Sequence, residues 1–187
     1  MKREKITICS GENMMPLCME LLVSRLQSDI GAERKHAREA LVKIGKSVVP
    51  LITELMTHPE SHVRWEACKT LQRIRDPKTA SLLATMLMDE DMDVRWVAAD
   101  ALVELEHHAI VPLLETIEEN FDSVIFREAA HHVLHSLKES RLLDDKTEQV
   151  MDALRPMEVS SKAAFIANRV LDHVRSHIPI RRHRLLV

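Results

Sequence analysis

The chain has 187 residues, enough to bury most of its apolar side chains in one domain. Its 45% hydrophobic and 29% charged residues make a globular composition and exclude an intrinsically disordered chain. The net charge of −3 divides into −7 up to Arg155-Pro156 and +4 from Met157 onward, and an acidic body argues against a phosphate-binding groove.

The residue types favour helices. There are 3 Gly, no Tyr, 3 Phe and 2 Trp, while Leu, Ala, Met, Glu and Arg recur throughout. Residues 1–13 are expected to form an N-terminal extension. They begin with basic residues but lack the apolar stretch of a signal peptide, and no later segment approaches the length of a membrane span. Cys9, Cys18 and Cys68 have no paired spacing, as expected of reduced thiols. These features together predict a cytoplasmic protein.

From residue 14 the chain reads as alternating helices, called B and A here in the order they appear. B helices are expected near 14–28, 48–57, 78–88, 109–119 and 144–155, and A helices near 32–45, 61–74, 92–106, 123–138 and 160–176. The A helices carry a repeat, Arg-x2-Ala-x3-Leu-x2-Ile/Leu. It runs Arg34, Ala37, Leu41, Ile44, then Arg64, Ala67, Leu71, Ile74, then Arg95, Ala98, Leu102, Leu105, and finally Arg127, Ala130, Leu134, Leu137. The arginine returns at spacings of 30, 31 and 32 residues, which chance helical periodicity would not maintain.

The B helices share a proline near their start: Pro50 and Pro112 match, and Pro16 opens a truncated leading unit. Proline costs nothing there, because its missing N–H would have no partner in the first turn. Asp29, Asp91, Asp93, Asp122 and Ser123 precede A helices, as capping residues do.

These residues resemble the HEAT repeat family, in its short-repeat branch first noted in phycobilisome lyases; Asp93-Val94-Arg95-Trp96-Val97-Ala98 followed by Val111-Pro112-Leu113-Leu114 is similar to it. The resemblance implies an all-α, right-handed α-α superhelix of about five antiparallel helix pairs over residues 14–176, with B helices lining its concave side. Residues 177–187 then form a basic C-terminal tail, able to touch RNA, a membrane surface or an acidic partner.

The repeat scaffold needs Arg34, Arg64, Arg95 and Arg127, expected to pair with acidic caps and turn carbonyls, and Pro50 and Pro112. Placing Ala67 toward the core puts Val63, Leu71 and Ile74 on the same face and Trp65 and Trp96 nearly opposite it. Two outward indoles are candidates for a partner contact. The presumed concave side adds Glu54, Thr85, Glu115 and Glu119, an acidic surface suited to a basic or amphipathic peptide. Met56, Met86, Met88 and Met151 also fall on B helices, as core filler or as adaptable surface.

The fourth A helix holds His131, His132 and His135 with Glu128. His131/His135 and Glu128/His132 are i,i+4 pairs, a spacing that can chelate zinc, although a solvated polar face is the preferred reading and no metal is assigned. The related deoxyhypusine hydroxylases bind iron through His-Glu dipeptides, which this chain lacks, so that activity is not carried over. No glycine-rich phosphate loop or nucleophile elbow occurs either, no base is signalled beside Cys68, and no cofactor is expected.

The sequence therefore predicts a non-catalytic scaffold or adaptor that binds a partner protein or peptide. An enzyme or enzyme subunit of the lyase and hydroxylase branches is the alternative, and nucleic-acid binding ranks third.

Overall fold

The computed structural model of the protein describes residues 15–154 and 161–177, so residues 1–13 and nearly all of 177–187 lie outside the described residues. Every regular element among the described residues is helical. The chain divides into two compact units, Met1–Ile74 and Arg75–Val187.

In the first unit, α1 (Met15–Leu26) packs on α2 (Gly31–Ile44), and α3 (Val49–Glu54) and α2 both pack on α4 (Ser61–Ile74). The repeat positions point inward. Ala37, Leu41, Val63, Ala67 and Leu71 are buried, joined by Leu22, Leu26 and Ile52 from the B helices. A small residue at each repeat alanine lets neighbouring helices approach closely, and the leucine one turn on fills the space between them.

In the second unit, α5 (Ala80–Thr85) and α6 (Met92–Glu104) are followed by α7 (Ile110–Asn120) and α8 (Val124–Glu139), then by α9 (Asp145–Ala153) and α10 (Ser161–His177). The A helices α6 and α8 lie side by side, α5 packs on α7, and α10 packs along α7 and against α9. Leu83, Leu87, Ala98, Leu102, Leu113, Ile117, Phe126, Ala130 and Leu134 form the core. Met56 in the first unit and Met86 and Met151 in the second are buried core filler, whereas Met88 stays partly exposed. Cys68 is fully buried.

Every expected helix is present, and the B helices of the second and third repeats carry a refinement. Short 3-10 turns over Leu55–Thr57 and Met86–Met88 tighten the ends of α3 and α5. Such turns satisfy carbonyls at helix ends that lack an i+4 partner. Asp91 caps α6 by accepting from the N–H groups of Asp93 and Val94 at 2.8 and 3.3 Å, and Ser123 caps α8 through Phe126 N–H at 3.3 Å. Before α2 the expected Asp29 cap is not formed. Ser28 stands in, its hydroxyl accepting from Ile30 N–H at 3.1 Å and donating to Glu33 at 2.7 Å.

Candidate interaction face

The repeat arginine occupies the fourth residue of each A helix, and in all four repeats one guanidinium nitrogen reaches back to the carbonyl six residues earlier. Arg34 donates to Ser28 O and Arg64 to His58 O, both at 2.8 Å. Arg95 reaches Asp89 O at 2.7 Å and Arg127 reaches Phe121 O at 2.9 Å. The last three also touch the following carbonyl, of Pro59, Glu90 and Asp122. These carbonyls lie at or just beyond the end of the preceding B helix, where the chain turns and no further helical N–H is available. A fixed cation satisfies them and complements the negative end of that helix. Turn carbonyls are thus a partner common to all four. Arg34 also meets a carboxylate, that of Glu66 at 3.3 Å.

The two indoles share a wheel position but not an environment. Trp65 is half-buried, with the Arg38 guanidinium 5.6 Å from its ring centroid and Arg38 itself held by the buried carboxylate of Glu66. It lies within the packing of α2 on α4. Trp96 is 59% exposed, although it stacks on His132 of α8 with ring centroids 4.8 Å apart.

That stack fixes the register of α6 against α8. Met92 lies one turn before Trp96 and is 69% exposed; Glu128 lies one turn before His132, and Ile125 a further turn back is 52% exposed. Asp93 and Glu128 are exposed, and Asp100 follows one turn after Trp96. Met92 and Trp96 on α6 and Ile125 on the neighbouring α8 thus make an exposed apolar row, with Asp93, Asp100 and Glu128 within one turn of them along the chain.

His132 is engaged with the indole, and His131 and His135 stand with ring centroids 6.3 Å apart. No group of three or more His, Cys, Asp or Glu that could hold a metal occurs among the described residues.

The residues expected on the B-helix side fall in different places. Glu54 is exposed at the end of α3 in the first unit. In the second unit Thr85 is exposed, and its hydroxyl donates to Leu82 O at 2.7 Å. Glu115 is met by Arg175 of α10 at 2.6 Å, and neighbouring Glu118 accepts from the Asn168 amide at 2.6 Å, while Glu119 is exposed. The acidic row of α7 is therefore partly covered by the chain's own last described helix.

A signal in the sequence locates the A-helix face independently. From Asp89 to Glu128 there are twelve carboxylates against Arg95 and Arg127 and no lysine, a net of −10. Residues 1–88 sum to +4 and residues 129–187 to +3. The total of −3 conceals one strongly acidic repeat between two basic stretches.

Residues 19–102 match a family model for HEAT repeats. Over those residues the chain resembles HEAT repeats. No curated protein matches the sequence. Among solved structures, a chain in the complex of CpcE and CpcF of phycocyanin lyase from Nostoc sp. PCC7120 is similar at 22% identity and a TM-score of 0.57, covering 84% of this chain and 99% of that one. An engineered protein is similar at 20% identity and a TM-score of 0.44, covering 84% of this chain and 79% of its own. The first likeness extends the all-α HEAT-like fold over most of the chain. No helix among the described residues is long and apolar enough to cross a membrane.

Proposed function

We propose that this HEAT-repeat chain is a non-catalytic scaffold that holds a partner protein on the α6–α8 face. The observation that carries this reading is Trp96, more than half exposed at the end of an apolar row on an otherwise well-packed helix pair. Indoles are over-represented where interfaces exclude water, because they bury a large area at little entropic cost. The structural neighbour, found in the complex of CpcE and CpcF, supports a protein partner as the class. A reducing cytoplasm fits the spacing of the cysteines.

Trp96→Ala is expected to weaken capture of the partner by about tenfold or more while leaving the melting temperature nearly unchanged, since the ring is mostly in water already. Trp65→Ala is expected to do the reverse, lowering stability by about 1–3 kcal/mol through loss of packing under Arg38. Affinity capture paired with thermal unfolding of both variants checks this. Equal capture by wild type and Trp96→Ala would refute the reading.

A second reading, a subunit of a lyase-type enzyme, draws support from that same neighbour. A chain that co-purifies with pigment or gains a covalent-transfer activity on adding its partner would favour it.

A further inference from the structure

The α6–α8 face has a chemistry that restricts what can cover it. Its apolar residues are Met92, Trp96 and Ile125, and the charges bordering them, Asp93, Asp100 and Glu128, are all negative. The two cations of this stretch, Arg95 and Arg127, are committed to the carbonyls of the preceding turns. The face sits within the segment of net −10, so phosphate-bearing partners and acidic peptides are repelled.

The molecule also shows how it covers another part of this acidic segment. On α7 the carboxylates of Glu115 and Glu118 are met by Arg175 and Asn168, seven residues apart on one face of α10. A helix with a cation and an amide on its edge is this protein's own solution for an acidic helix row. The α6–α8 face presents similar charge with an apolar strip beside it. Neighbouring helices pack about 8–10 Å apart, and the furrow between two of them accepts a third helix.

Resting on the reading of this face as the docking site, we propose that its occupant is a basic amphipathic helix of a partner protein. The helix lays its apolar row along Met92, Trp96 and Ile125 and sets lysines or arginines against Asp93, Asp100 and Glu128. A cation over the exposed indole adds attraction to the negative face of the ring.

The test uses the full chain and a fluorescein-labelled 18-residue Leu/Lys peptide patterned as an amphipathic helix, a composition-matched scramble of it, and a Leu/Glu counterpart. Fluorescence anisotropy is expected to show the Leu/Lys helix binding about tenfold or more tighter than the scramble, with no binding of the Leu/Glu peptide. Trp96→Ala and the pair Asp93→Lys with Glu128→Lys should each weaken it about tenfold or more. Glu119→Lys, on α7, should leave it within about twofold. Equal binding of helix and scramble, indifference to Trp96→Ala, or an equal loss with Glu119→Lys would each overturn the proposal. So would sedimentation velocity showing that the chain alone dimerises through Trp96, which would make a second copy the occupant. If the peptide is indifferent to Trp96→Ala while the captured partner still requires Trp96, only the basic-helix occupant fails and the docking face stands. If both are indifferent, both readings fall.

Discussion

Arg64 illustrates what a repeat residue does. It is buried, and its guanidinium answers two carbonyls of the turn before α4. Arg64→Ala leaves those acceptors short of a donor in a poorly hydrated place, a loss of about 2–3 kcal/mol measurable by urea unfolding. The opposite sign is expected at the far end of the A helix. Each of the first four A helices is followed within two residues by one with positive φ: Gly45, Arg75, Glu106 and Arg141. The first three each follow their repeat arginine by eleven residues. Glycine meets this conformation at no steric cost, whereas Glu106 at φ 55° holds it against its own Cβ. Glu106→Gly should therefore raise stability by about 0.5–1 kcal/mol in the same experiment. The arginine was legible in the sequence because each repeat poses the same problem of open carbonyls. The left-handed position was not, since only one of its four occupants is a glycine. The two indoles show a further limit. A helical wheel gives the face of a residue but not its neighbour, and the neighbour decides: Arg38 covers Trp65, while Trp96 is left open beside His132.

At the scale of the element, helix ends were easier to place than helix roles. The caps Asp91 and Ser123 each sit where a polar side chain precedes an apolar periodicity, and each accepts the expected N–H bonds, while Asp144 caps α9 without having been singled out in the sequence. Asp144 also has a consequence for pH. The Thr147 hydroxyl, and then the Thr147 N–H, hold its carboxyl below the usual carboxylate range, against some desolvation and with help from His173 and Lys146. A carboxyl whose folded pKa is lowered stabilises the fold above its unfolded pKa, and that contribution is lost as pH falls through the folded value. Asp144→Ala is thus expected to cost about 1 kcal/mol at pH 7, through the lost cap of α9, and progressively less below the ordinary value of 3.8. Denaturation of wild type and variant at pH 7 and pH 3 checks the sign. The role of α7 was harder to foresee. Its glutamates read as an open acidic surface, and no local pattern announces that α10, some fifty residues away, returns to cover Glu115 and Glu118.

For the whole molecule, the repeat motif placed the helices and most of their buried positions, because a solenoid core is the sum of short local packings. Function was less legible, because a repeat uses most of its residues to stack. What remains is a deviation from the repeat: an exposed indole, a methionine and an isoleucine in a stretch of net −10. That charge was present in the sequence but hidden in a total near zero, and counting it repeat by repeat would have singled out the third A helix. The same side chains make the central claim measurable, since exposed methionine and tryptophan are readily oxidised. Hydroxyl-radical footprinting by mass spectrometry, on the chain alone and with its captured partner, compares Met92 and Trp96 directly. The account predicts that both oxidise readily in the free chain and are strongly protected in the complex. Unchanged oxidation of Met92 and Trp96 in a complex that protects other surfaces would contradict it.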